Sequence, residues 1–153
     1  MVWEGLDEPA LDALAARVAG SLRPGDIVVL AGEVGAGKTA FTRAAARALG
    51  VKERVTSPTY QIARSYEGYR NGDRLLVNHL DLYRLEEAAE RDALELDDYL
   101  DPRAVTFIEW AEPALGLVED PTVVFISHET PATRRIELTG PAAIRLNERD
   151  DEH

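Results

Sequence analysis

Gly32-Glu33-Val34-Gly35-Ala36-Gly37-Lys38-Thr39 is the stretch on which the reading of this 153-residue chain turns. It fits G-x-x-x-x-G-K-[ST], the phosphate-cradling P-loop pattern. Glycines let a backbone close around phosphates because no Cβ stands in the way. Successive N–H groups then form an anion nest, and a helix starting at the end of the loop adds the positive end of its dipole. In such a loop Lys38 reaches the β- and γ-phosphates and the Thr39 hydroxyl ligates Mg²⁺.

The flanks agree with that reading. Ile27-Val28-Val29-Leu30-Ala31 is a continuous apolar run after Pro24-Gly25, as expected of a strand buried on both faces of a parallel sheet. After the motif, Phe41, Ala44, Ala45, Ala48 and Leu49 make the apolar stripe of a helix that Gly50 is placed to stop. Strand, Gly-rich loop and helix follow in the required order.

Outward from there, Leu11, Leu14, Ala15, Val18 and Leu22 predict an amphipathic helix over 8–22, with Asp7 as N-cap and Pro9 in its first turn. Residues 60–66 and 75–80 read as strands joined at Asn71-Gly72, an antiparallel pair. The acidic stretch 86–100 reads as partly helical. Residues 104–108 form an apolar strand ending in Glu109. Two further strands, 122–127 and 134–139, flank a short Pro-containing connection, and 141–146 reads as a short helix. The order α-β-α-β-β-α-β-β-β predicts one α/β domain over 1–146 with a mixed, partly parallel sheet, and a charged, disordered tail over 147–153.

Composition narrows the classes. Hydrophobic residues at 45% and charged residues at 29% suit a globular core. No apolar run reaches the length of a membrane span, and Glu4, Asp7 and Glu8 are unlike a secretory leader, so neither a membrane nor a secretory fate is expected. The absence of cysteine excludes thiolate chemistry and fits the cytoplasm. A net charge of −11 disfavours gripping nucleic acid through its phosphates and suits docking on a basic partner.

A P-loop enzyme needs a carboxylate at a strand end to hold Mg²⁺. Glu109 ends a clean apolar strand and Asp81 a strand interrupted by the polar Asn78 and His79, both at the edge where α/β sheets bind ligands. Thr56-Ser57-Pro58-Thr59 offers three hydroxyls at a distance from the loop suited to a switch or γ-phosphate sensor. His79 is ambiguous between a packed residue and a functional one, and Trp110 between core, partner contact and lid.

Together these residues resemble the TsaE (YjeE) family of small P-loop ATPases. The resemblance rests on GEVGAGKTAFTRAAARALG, VTSPTYQI, HLDLYRL, LDDYL and VTFIEWAE in this order. It implies a P-loop NTPase-like three-layer fold that takes ATP and Mg²⁺. It also implies a role in threonylcarbamoyladenosine modification of tRNA: binding the TsaD–TsaB complex and sustaining its repeated turnover by ATP hydrolysis, with tRNA met only through the complex. By position, Lys38, Asp81 and Glu109 would be catalytic, and Thr39 and Glu109 would hold Mg²⁺. Glu33, Val34, Gly35, Ala36, Gly37, Lys38, Thr39 and Ala40 would hold ATP. His79, Tyr83, Arg84 and Trp110 are candidate partner or lid contacts, and the start of the first helix a source of adenine contacts. The chain departs from the family pattern at Glu33 (often Asp), Ala40 (often Thr) and Leu11 (often Thr). Arg84, Arg134 and Arg135 are candidates for an arginine finger. Two other classes are compatible with a P-loop: a small-molecule kinase, disfavoured by the acidic 84–100 region, and a non-hydrolysing nucleotide-gated module, disfavoured by intact Asp81 and Glu109.

Overall fold

A computed structural model describes residues 1–33, 35–56, 63–81, 100–109 and 118–151. Val34, Ser57, Pro58, Thr59, Tyr83, Arg84, Trp110 and all but the last residue of the acidic stretch 86–100 lie outside the described residues.

Seven strands form one mixed sheet. In chain order they are β1 (Val2–Leu6), β2 (Ile27–Gly32), β3 (Ala63–Arg70), β4 (Asp73–Asp81), β5 (Ala104–Glu109), β6 (Thr122–Thr130) and β7 (Thr133–Thr139). Their order across the sheet is β1-β7-β6-β2-β5-β4-β3. The central four, β6, β2, β5 and β4, run parallel. The outer pairs, β3 with β4, β6 with β7 and β1 with β7, are antiparallel. This is the expected mixed, partly parallel sheet. β2 sits in its middle, and the chain crosses to β4 and β5 on one side and β6 on the other. The crevice above the carboxyl end of β2 is therefore a topological switch point, where such sheets bind ligands.

Burial follows the period of two. Every residue of β5 is buried, as a central parallel strand requires. Val28 and Leu30 of β2, Val105 and Phe107 of β5, and Val124 and Ile126 of β6 join one large core. Helix α1 (Glu8–Gly20), helix α2 (Lys38–Ala48) and helix α3 (Pro141–Asp151) close that core from one face. Ile27 and Ile108, which alternate with those residues, belong to a smaller cluster with Leu80, Val118 and Leu100 on the opposite face.

Local signals act as predicted at several ends. Asp7 Oδ1 accepts the Ala10 N–H at 3.0 Å, capping α1, and Pro9 occupies its first turn. Asn71 (φ 53°) and Gly72 (φ 85°) turn the β3–β4 hairpin with both residues left-handed, a geometry that suits the strand twist. Three differences stand out. β1, which the sequence reading did not anticipate, adds an edge strand against β7. Strand β6 continues to Thr130 and the hairpin to β7 turns at Pro131-Ala132. Helix α3 continues past the expected end at Leu146, through part of the predicted tail, to Asp151. Tertiary partners hold that extension: Arg149 donates to the Gly20 carbonyl at 3.0 Å, and Asp150 pairs with Arg17 at 3.1 Å.

Candidate functional site

The loop between β2 and α2 is shaped by three glycines at positive φ: Gly32 (138°), Gly35 (78°) and Gly37 (113°). Gly37 occupies the N-cap of α2 without a side chain, so nothing of its own covers the positive end of the helix. The Ala36 N–H donates to the Glu33 carbonyl at 3.1 Å, closing the loop as a turn. Lys38 opens α2 and folds its ammonium back to the Gly32 carbonyl at 2.9 Å, which places a fixed positive charge across the mouth of the loop.

Strand register brings the two acids together. Asp81 of β4 pairs with Glu109 of β5 at the carboxyl ends of both strands. Glu109 reaches toward α2, and the Thr39 hydroxyl donates to Glu109 Oε1 at 2.7 Å. On its other side, His79 Nε2 lies 3.2 Å from Glu109 Oε2. Burial of Glu109 pushes its carboxyl pKa up. His79, the Thr39 hydroxyl and the charge of Lys38 more than offset that, and the net shift is downward, toward the ionised form. A buried ionised carboxylate beside a hydroxyl supplies two hard oxygen donors. That set fits Mg²⁺, which takes one or two protein ligands and completes its shell with phosphate and water oxygens.

His79, a candidate partner or lid contact, is fully buried. It stands in the middle of the sheet, paired across to Phe107 and close behind Glu109. Thr56 lies near the sheet edge, where its hydroxyl accepts from Arg64 at 3.2 Å.

A cleft of about 420 Å³ opens beside the loop. Leu6, Leu11, Ala40 and Pro131 give it apolar walls against Gly37, with the acids Asp7 and Glu8 on its rim. Its size is that of a small-ligand site. Arg134 of β7 borders this cleft and donates from Nε to the Ala36 carbonyl at 3.1 Å, bracing the loop. Sequence reasoning weighed Arg134 only as an arginine finger and missed Pro131 as a wall. The Arg134-Arg135 pair after a Pro-containing turn carries no local signal of either role, because the β6–β7 hairpin meets the loop only in three dimensions.

A central parallel strand, a Gly-rich loop, a helix N-terminus and strand-end acids define the class, a P-loop NTPase-like α/β protein. The family model described as threonylcarbamoyl adenosine biosynthesis protein TsaE matches residues 6–136, and the chain belongs to that family. It is similar to the tRNA threonylcarbamoyladenosine biosynthesis protein TsaE of Bacillus subtilis, with 38% identity over 71% of this chain and 65% of that one. The protein of the same description from Streptomyces coelicolor is 44% identical over 71% of this chain and 70% of its own length. The match thus spans about two thirds of these relatives. Among solved structures, Bacillus subtilis YdiB superposes with a TM-score of 0.74 at 27% identity, covering 98% of this chain and 95% of the other.

Proposed function

We propose that this chain is a Mg²⁺-dependent ATPase that supports threonylcarbamoyladenosine modification of tRNA, binding a TsaD–TsaB transferase complex and sustaining its repeated turnover. The observation that carries the chemical part is the Thr39–Glu109 contact across the P-loop, with Lys38 over the loop and Asp81 in register beside it. The family membership and the descriptions of the relatives support the biological part.

In the proposed reaction, Glu33 to Ala40 wrap the phosphates with backbone N–H groups and the N-terminus of α2. Lys38 exchanges the Gly32 carbonyl for a phosphate oxygen and stabilises charge that spreads as the γ-phosphoryl departs. Thr39 and Glu109 would hold Mg²⁺, which would neutralise charge on the phosphate oxygens. Asp81 orients the attacking water. The water oxygen bonds to the γ-phosphorus, the bond to the β–γ bridging oxygen breaks, ADP leaves with that electron pair, and the proton lost by the water passes to solvent as inorganic phosphate forms. His79 keeps Glu109 aimed at Thr39. The apolar cleft between α1 and the β6–β7 turn takes the base. Arg134 is engaged with the loop backbone, so a finger arginine is expected from a partner and turnover of the isolated chain should be slow.

Multiple-turnover reconstitution of tRNA modification tests this, comparing the unsubstituted chain with Lys38→Ala, Asp81→Ala and Glu109→Ala after each is shown to be folded by circular dichroism. Loss of turnover in all three is expected. Full activity from all three would remove the ATPase reading, and hydrolysis by the isolated chain as fast as in the complex would remove the partner requirement.

A further inference from the structure

The far end of α1 carries an arrangement that the nucleotide site does not use. The start of α1 borders the P-loop cleft. The helix has 13 residues, so its carboxyl end lies about 20 Å away, toward the opposite edge of the sheet. Four consecutive carbonyls there, Ala19 to Leu22, are each taken by an arginine. Arg70 of β3 donates to Ala19 at 2.7 Å and also to Leu22. Arg145 of α3 donates to Ser21 at 2.7 Å, and Arg149 of α3 to Gly20 at 3.0 Å.

A helix terminus needs donors for its last carbonyls and carries about half a negative charge. Three guanidinium groups exceed that charge several times over. Arg23 adds a fourth cation to the same cleft, and its side chain makes no hydrogen bond or ion pair among the described residues. The opposing acids are Asp26, gripped by Arg145 at 2.5 and 3.0 Å, Glu148 on the rim, and Asp120, which attracts Arg145 from farther off. Four guanidinium groups thus face three carboxylates and the helix end, a slight local excess of positive charge in a chain whose net charge is −11. Arg23, whose side chain has no partner among the described residues, is the cation left for an incoming anion. Ser21 lines the same cleft of about 290 Å³ and is only 4% exposed, yet its hydroxyl has no hydrogen-bond partner among the described residues. A buried hydroxyl left unpaired is costly, and this one lies just beneath the cleft's surface.

We infer that this cleft is a second anion site, separate from the P-loop, that takes a phosphate group, either free or carried as a monoester on a small molecule. Guanidinium forks match phosphate oxygens in geometry. Arg70, Arg145 and Arg149 are already fixed by the carbonyls they cap, so little side-chain freedom is lost on binding. Arg23 closes over the ligand from the exposed side. The cleft is too small for a folded macromolecule and of the right order for a phosphate or sugar phosphate.

The test is ¹⁵N-resolved NMR of the intact chain, titrated with inorganic phosphate and, separately, with ribose 5-phosphate, at ionic strength held constant with chloride. Signals of Gly20 to Arg23 and of Gly35 to Thr39 report the two sites independently. Saturable shifts at Gly20 to Arg23 are expected with at least one of the two probes, and which one binds more tightly tells whether the free or the esterified group is preferred. The double variant Arg23→Gln/Arg149→Gln should weaken that response about tenfold or more while leaving the P-loop response in place. Arg23→Gln alone removes no bond of the fold, so it should keep the parent melting temperature and still bind more weakly. Absence of saturable shifts at Gly20 to Arg23, their persistence in the double variant, or their reproduction by chloride would each overturn the inference.

Discussion

Gly32→Ala should damage this protein more than any other single methyl added to the loop. Gly32 ends β2 in register with Ile126 of the neighbouring parallel strand β6, at φ 138°. A Cβ built there would lie 2.1 Å from the Ile126 carbonyl oxygen and 3.1 Å from its carbonyl carbon. Both atoms belong to a ladder backbone, so no side chain can swing aside, and β6 must move on the order of 1 Å or Gly32 must abandon its conformation. The backbone strain is worth about 1–3 kcal/mol. The overpacking adds about 1–3 kcal/mol more. Taking the middle of each range, the loss is about 4 kcal/mol, or roughly 10 °C of melting temperature for a chain of this size. Gly35→Ala is the internal control: Gly35 is also at positive φ, 78°, but an added Cβ there meets nothing within 4 Å. It should cost about 1 kcal/mol from strain alone, roughly 3 °C. Thermal and urea melts followed by circular dichroism decide between them. If Gly32→Ala melts within about 3 °C of the parent, or no lower than Gly35→Ala, the packing argument fails.

Asp26→Asn should lower the urea unfolding free energy by about 2 kcal/mol, since it weakens a largely buried pair with Arg145 and a cap on the Arg23 N–H at 2.8 Å. An unchanged urea midpoint would contradict that. Asp7→Ala should cost about 1 kcal/mol by uncapping α1, with the melt again the measure. Arg134→Ala releases the Ala36 carbonyl, so nucleotide affinity measured by calorimetry should fall by up to about tenfold while the melting temperature stays close to the parent's. Asp101 accepts from the Arg103 guanidinium and then from the Arg103 N–H, which hold its carboxyl down at about 2. Because the folded value is depressed, its contribution to stability is complete above the ordinary aspartate range and is lost as pH falls toward 2. Carboxylate ¹³C NMR should show that titration, and Arg103→Ala should move it back up.

Much of the centre was legible in the order of the residues. β2, the Gly-rich loop and α2 are encoded within some twenty consecutive positions, and each boundary carries its own local chemistry. The β3–β4 hairpin was legible for the same reason, since Asn71-Gly72 demands a left-handed turn whatever surrounds it. β1 was not. Val2 and Glu4 are exposed on an edge strand and Gly5 sits at φ 63°, so no apolar alternation marks it, and its partner β7 lies at the other end of the chain. The run from Asn147 to Asp151 reads as a solvated tail because its charges have no local partners; Arg149 and Asp150 find theirs on α1.

The sequence by itself determined that a phosphate cradle exists and that acids stand at strand ends, because glycine freedom, apolar runs and turn chemistry act over a few residues. Only the tertiary structure decided which of those groups meet. Parallel pairing of β4 with β5 sets Asp81 beside Glu109, and the seating of α2 sets Thr39 against it. Packing of the sheet buries His79 and sets its Nε2 3.2 Å from Glu109. The arginines at the end of α1 come from β3 and α3, which are scattered along the chain and are joined only because one helix end exposes four carbonyls that must be satisfied.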